Sequence, residues 1–472
     1  MTRMLTVLAA ALTFMQPASA GLFSDDDLAT ARELRERALE RDGGFEIVAD
    51  LTTRIGPRMA GTEADAKAVA WAEELLNDIG FDRVWLEPVT FDTWHRDYER
   101  VTVRAPGVDE QELVSLALGF TPATPEGGIE AEVAMFADLA ALEAAEPDEV
   151  EGRIVFIANR MERSRDGSTY GPAVQARSRG PQVAADMGAE AIVIRSIGTS
   201  NNRFAHTGMT RFDDETQAIP AVAISNPDAD QLERMVALGE PVTVHVDVGA
   251  VYSEPYTSHN VIAEITGSES PEKIVALGAH LDSWDVGTGA LDDGAGIAII
   301  TEAARLILDL DERPQRSIQL IYFAAEEIGL LGGRVWAEKH HENFGNYQLG
   351  AESDFGAGPV YEIGARVVDE AWPVIEAIQA ELEPLGIDLG GREASGGPDF
   401  IPSLPHGLAV VDLRQDGTDY FDYHHTENDT LDKIDPENLA QNAAAYAVLA
   451  WLAAQSPIDF GSGPELLEQL DQ

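Results

Sequence analysis

The sequence predicts an α/β chain, a mixed sheet sandwiched by helices, with a second α/β unit inserted into it. Three observations carry that expectation. In the second half, apolar runs of strand length alternate with runs of helical period. A Pro/Gly/Thr connector, "GFTPATPEGG" from Gly119, opens a block with its own strand–helix alternation. Acids and histidines collect where the second-half strands end, which is where open sheets of this kind bind ligands.

The elements follow in order. Residues 1–20, "MTRMLTVLAAALTFMQPASA", fit a cleavable export leader: Arg3 is the positive start, Leu5–Phe14 the apolar stretch, and Ala18 and Ala20 mark the cleavage site. The apolar stretch is too short to span a bilayer, so the mature chain is expected to start near Gly21, in the periplasm or secreted. A charged helix is expected over Asp26–Arg41. "FEIVADLTTRIGPRMAGT" suggests a helix broken at Gly56-Pro57, and a further helix over Thr62–Ile79 has Gly80 as its cap. "RVWLEPVTF" and "ERVTVRAP" alternate as strands do.

The inserted unit is expected over 119–251, between catalytic parts at 21–118 and 252–472. Its strands are "EAEVAMFA", "GRIVFIAN" and "EAIVIRSI", its helices "GPQVAADMGA" and "DADQLERMVALG", and "YSEPYTSH" is a linker back. The second half then gives strands at "KIVALGAHL", "SIQLIYFAAEE", "YQLGAESD" and "HGLAVVDLR". Helices fall at "GAGIAIITEAARLILDL", "LGGRVWAEKHH", "AWPVIEAIQAELEPLG" and "PENLAQNAAAYAVLAWLAA".

Composition narrows the chemistry. With 472 residues and 44% hydrophobic content, the chain can bury a core in more than one domain. Cysteine is absent, which excludes disulfides, thiolate catalysis and cysteine metal sites. A formal net charge of −51 repels nucleic acid and anionic membrane, so neither is an expected partner.

The strand-end residues form a pattern. His280 and Asp282 follow Ile274–Ala279 and, two apart, share one side of an extended chain. Asp292-Asp293 precede a helix, Glu326-Glu327 end the next strand, Glu352-Ser353-Asp354 the one after, and His424-His425 lie in the last loop. Alone, a DD pair is an N-cap and an EE pair a solvated helix start. Repeated at successive strand ends, such groups would repel unless cations lay among them. Two divalent ions about 3.5–4 Å apart relieve that repulsion, and a His/Asp/Glu set suits zinc. A further unligated carboxylate would then handle the proton.

These residues carry a resemblance. "RIGPRMAGT", "EITGSESPEKIVALGAHLDSWDVGTGALDDGAG", "AAEEIGLLGG", "ESDFGAG" and "DYFDYHHTENDTLDKIDP" resemble the co-catalytic dizinc exopeptidases of the aminopeptidase and glutamate-carboxypeptidase group, nearest its plasma glutamate carboxypeptidase branch. The resemblance runs from about Asp50 to the C-terminus. It implies the zinc-exopeptidase fold, two zinc ions per chain, hydrolysis of short peptides with free termini such as dipeptides, and a homodimer.

Position by position, it implies that His280 and Asp354 hold one zinc, Glu327 and His425 the other, and that Asp292 bridges both. Glu326 would be the general base, and Asp282 a carboxylate orienting His280. His425 is preferred over His424 by the family's H-[ST]-x-x-D-T pattern, leaving His424 to help polarise the scissile carbonyl. The inserted block resembles a protease-associated domain walling the cleft, and Gly56-Pro57-Arg58 a loop at the site's rim. Arg366, Arg392 and Arg414 are candidates to meet a substrate carboxylate. Asp285 has no expected role, and His95, His206, His245 and His406 have no partner pattern. Rival readings are an aminopeptidase of the same group, a single-zinc glutaminyl cyclase and a non-enzymatic receptor.

Overall fold

The structure is a computed structural model that describes residues 21–213 and 217–470. The leader expected over residues 1–20 lies outside the described residues.

Helices α1 (Asp25–Leu39), α2 (Gly43–Arg54) and α3 (Glu63–Ile79) come first. Ser24 and Thr62 cap α1 and α3 by accepting from the N–H groups of Asp27 and Asp65, and Gly80 closes α3 at φ 98°. The chain continues through β1 (Arg83–Ala105), β2 (Val108–Leu113), β3 (Ser115–Ala117), β4 (Ile129–Phe136), α4 (Leu139–Glu143) and β5 (Ile154–Ile157). Next are α5 (Tyr170–Ser178), α6 (Gly180–Asp186), β6 (Ala191–Arg195), β7 (Ala221–Ile224) and α7 (Asn226–Val236). The long β8 (Thr243–Ile265) leads into β9 (Ser270–His280), α8 (Ala295–Leu308), β10 (Arg316–Phe323), α9 (Leu331–His340) and β11 (Tyr347–Glu352). Last come β12 (Val360–Arg366), α10 (Trp372–Leu382), β13 (Asp388–Leu389), β14 (Val410–Gln415), α11 (Pro436–Gln455) and α12 (Pro464–Leu470).

The sheet runs β13-β12-β14-β11-β9-β10-β8-β4-β5-β6-β7-β3, with β1 along β8. Neighbours among β14, β11, β9 and β10 pair in parallel, so their carboxyl ends share one edge. The central β9 is buried on both faces, which explains its continuous apolar run. Val275, Leu277 and Ala279 join the core under α8 and α11, while Ala276 belongs to the cluster of Phe323, Trp336 and Phe400 on the other face. Gly278 is there for closeness: a β-carbon would lie 2.9 Å from both Phe323 and Phe400. The strand thus delivers His280 from a rigid support.

One face of the inserted segment's sheet forms a separate cluster, while Val155, Ile157, Ile192 and Ile194 on the other face join the main core. The separate cluster reaches beyond the expected limits, taking in Val101, Val103 and Leu113 as well as Phe156, Val193 and Val246. Strand β3, before residue 119, pairs with β7. Residue 251 falls inside β8, and the expected linker "YSEPYTSH" is strand, with Tyr252 opposite Trp94 and Thr257 opposite Thr90. The ladder breaks register between Phe91 and Thr93, and Pro255 is accommodated at that irregularity. Alternation here is polar on both sides because the ribbon is solvated, so it carries no apolar signal. The short β3, β7 and β12 have no counterpart among the expected strands.

Strand β1 is fastened to α9 by Glu87, which is 2% exposed. It meets Lys339 Nζ at 2.8 Å and His340 Nε2 at 3.2 Å. Burial alone would raise its pKa, but the bonds to His340 and Lys339 outweigh it and bring the carboxyl down to about 2. A group depressed in the folded state adds stability above its unfolded pKa and loses it as pH falls through the folded value. Acidification from the usual 4.5 towards 2 is therefore expected to cost stability through Glu87. Glu87→Gln is expected to flatten that slope in urea denaturation series across the same range.

Candidate metal centre

At the end of β9 the His280 backbone N–H donates to Asp293 Oδ2 at 3.1 Å, and the ring's Nδ1 lies 3.0 Å from the Asp282 carbonyl oxygen. A carbonyl only accepts, so Nδ1 carries a proton and Nε2 is the ring atom turned to the acids, free to give its lone pair where a cation replaces the proton there. Nε2 lies 3.1 Å from Asp292 Oδ1 and 3.5 Å from Asp354 Oδ1. A second group forms on the other side of Asp292. His425 Nε2 is 2.9 Å from Glu327 Oε2 and 3.3 Å from Asp292 Oδ2. His424 stacks on His425, ring centroids 3.6 Å apart, with its Nε2 3.7 Å from the same Asp292 oxygen. Both His280/Asp292/Asp354 and Asp292/His424/His425 have ligand atoms close enough to share a cation. The six residues come from the ends of β9, β10 and β11, the turn before α8 and the 420–430 loop.

Other buried groups hold these in place. Asp282 meets His280 with two oxygens: its backbone carbonyl is the nearer to Nδ1, and its carboxylate pairs with the same nitrogen at 3.7 Å. That carboxylate accepts from the N–H groups of Glu326 at 3.0 Å and Glu327 at 3.3 Å, fixing the turn that carries both glutamates. Asp429, the acid of the H-[ST]-x-x-D-T pattern and without an assigned role from sequence, accepts from Leu291 and Asp292 N–H at 2.7 and 3.2 Å. Asp293 takes the Gly296 N–H at 3.0 Å and so starts α8. Arg58 is fully buried beneath the site rather than at its rim. Its guanidinium donates to the carbonyls of Leu281, Thr288 and Gly289 at 2.6, 2.8 and 2.9 Å. Asp285 has a partner after all, a two-pronged pair with Arg96 of β1 at 2.9 and 3.0 Å.

The electrostatics are those of a crowded acid cluster. Burial opposes protonation of His280 and His425, yet adjacent carboxylates raise both, His425 to about 9. Burial alone would raise Asp292, but His280 and His425 hold it well below the usual carboxylate range. Burial raises Glu326 and Glu327, with other acids adding to the effect. Asp292 Oδ2 and Glu327 Oε1 are buried without a well-directed hydrogen-bond donor. Carboxylate oxygens left in that state are costly, and divalent cations are the partners this thiolate-free donor set fits.

The cluster floors a cleft of about 580 Å³. Glu326 reaches into it beside Glu327, His424 and His425, and the inserted unit supplies the facing wall through Tyr170, Val174, Arg177 and Arg211. Arg177 donates to the Tyr170 hydroxyl at 2.8 Å and to the Thr207 carbonyl at 3.0 Å. The proposed carboxylate partners are elsewhere. Arg392 pairs with Asp369 and Arg414 with Glu362, each at 2.5 Å, and Arg366 does not line the cleft. His206, without a visible partner in sequence, lies under the last loop with Nδ1 2.7 Å from the His424 carbonyl. Burial pushes its pKa down to about 4.

Residues 260–450 match the model of peptidase family M28. Bovine (Bos taurus) carboxypeptidase Q is 34% identical over 410 residues, 87% of this chain and 85% of that one. The chain belongs to peptidase family M28. Within the family, a solved M28 peptidase precursor from Shewanella amazonensis SB2B is 48% identical and superposes with a TM-score of 0.91, covering 93% of this chain and 100% of that chain. A zinc aminopeptidase from Bacillus subtilis shares the fold at 20% identity, TM-score 0.61, over 89% of this chain and 98% of its own. For an M28 peptidase the Asp282 contacts give a direct expectation. Asp282→Ala releases the Glu326–Glu327 turn and should weaken metal binding by about 10–100-fold, read by competition titration, with far-UV circular dichroism unchanged.

Proposed function

We propose that this chain is an exported, two-zinc exopeptidase that cleaves short peptides with free termini, dipeptides among them, in the manner of carboxypeptidase Q. The observation that carries the reading is Asp292, shared by two ligand groups at the floor of a cleft where Glu326 stands free of both. His280 and Asp354 would hold one zinc, Glu327 and His425 the other, with Asp292 between. Zinc held there supplies Lewis acidity, polarising a scissile carbonyl and acidifying water near neutral pH. Glu326 takes the proton from the attacking water on its carboxylate and returns it to the leaving amine. His424, at the cleft surface, donates towards the carbonyl oxygen.

The inserted unit, read as a protease-associated domain, closes one wall and limits the length of peptide that fits. The export leader supports a periplasmic or secreted location, and among the described residues no helix is long and apolar enough to cross a membrane. The same centre would serve an aminopeptidase, and an aminopeptidase shares the fold. A panel of free dipeptides, N-blocked peptides and aminoacyl amides separates the two. Free dipeptides are expected to be turned over fastest; rapid hydrolysis of N-blocked substrates overturns the reading, and preference for the amides favours the aminopeptidase. Glu326→Gln is expected to abolish hydrolysis while metal analysis still finds two zincs per chain.

A further inference from the structure

We propose that the inserted unit is a working part of the metal centre. Its segment His206–Thr207, locked by the Arg96–Asp285 pair, positions His425 and thereby sets the affinity of the second cation. The inference rests on the two-zinc reading above.

The His424–His425 step is bracketed by the insertion. Thr207 N–H donates to the His425 carbonyl at 3.1 Å, and the Thr207 carbonyl lies 3.2 Å from His425 Nδ1. His206 Nδ1 donates to the His424 carbonyl at 2.7 Å. The Thr207 carbonyl can only accept and lies nearer Nδ1 than the donor Arg177 Nη1, 3.2 against 3.4 Å, so His425 is held with a proton on Nδ1 and Nε2 turned to the Glu327–Asp292 side. His425 also has φ 61°, a left-handed conformation that a β-carbon disfavours, so contacts outside the loop are needed to hold it.

Those contacts are themselves anchored to the other ligand loop. Thr207 is fully buried; its hydroxyl donates to the Ala117 carbonyl and accepts from Arg96 Nη2, each at 3.0 Å. Arg96 also donates to the Ala117 carbonyl. It sits beside a register shift in β1, between Arg96 and Tyr98, that interrupts the ladder with β8. Its other edge grips Asp285, which belongs to the segment joining His280 to Asp292. A continuous path therefore runs from one ligand-bearing loop through Asp285, Arg96 and Thr207 to His425 on the other. Arg96 and Asp285 do not line the cleft, so they act on the centre as positioning residues and not on substrate.

The test is a zinc titration of the whole chain against a chromophoric chelator, for wild type, Arg96→Met and Asp285→Asn, with thermal unfolding of each metal-free protein alongside. The expected result is a loss of about 10–100-fold in one of the two zinc affinities, with the other at its wild-type value. Asp285→Glu should recover part of the loss. Unchanged affinities overturn the inference. Equal weakening of both sites in step with a lower metal-free Tm overturns it too, since that is what general loosening produces. Where Arg96→Met does not fold, Thr207→Val replaces the hydroxyl with a methyl group of similar size and faces the same outcomes. Wild type binding fewer than two zincs fells the two-zinc reading and this inference with it; two zincs and unaltered variants fell the inference alone.

Discussion

The shared carboxylate of Asp292 is the constraint around which the rest of the centre is arranged. It is buried, lies between His280 and His425, and has an oxygen with no well-directed hydrogen-bond donor. An arrangement of that kind lowers stability in the absence of cations, because carboxylates crowd a medium where their repulsion is poorly screened. It persists only if the surrounding structure overdetermines it. Asp429 holds its backbone, Arg58 holds the carbonyls of the preceding loop, and the following residue, Asp293, is tied to both His280 and α8 through its carboxylate. The strongly apolar β9 and the helices on its two faces supply the rigidity that these polar bonds alone would lack.

What was legible in the sequence follows from the same logic. Strand ends are set by apolar runs, and side chains just beyond them must lie at one edge of a parallel sheet. His280, Glu326-Glu327 and Glu352–Asp354 could therefore be placed at one edge from the sequence, while picking out Glu327, Asp354 and the shared Asp292 among their neighbours took the family resemblance. The partners of Asp285 and His206 were not legible, since they lie 189 and 218 residues away and the pairing depends on how the insertion docks. Spacing placed Asp282 beside His280 but could not say which of its oxygens faced the ring. The carboxylate turned out to serve two backbone amides on the next strand.

The errors at the domain limits have a physical source as well. Composition marks a boundary where polarity changes, and the polar stretch at 252–259 looks like a linker by that measure. Its residues are nevertheless paired with β1 through a solvated ribbon, where backbone hydrogen bonds and cross-strand contacts such as Thr90–Thr257 hold the strands without an apolar face.

That ribbon alters what the insertion is. A unit joined by flexible linkers would be free to move relative to the sheet that carries the ligands. Here β8 pairs with β4 of the insertion at one end and with β10 of the catalytic sheet at the other, without a chain break between. Strand β10 ends just before Glu326 and Glu327, while β1, running along β8, carries Arg96. The cleft wall formed by Tyr170 and Arg177, the Thr207 contact on His425 and the glutamate turn are thereby referred to one pair of strands. A displacement of the wall large enough to admit a longer chain would have to strain the ribbon or break the contacts on His425. On the proposed function, restricting peptide length and holding the ligand loop in place would be consequences of the same docking.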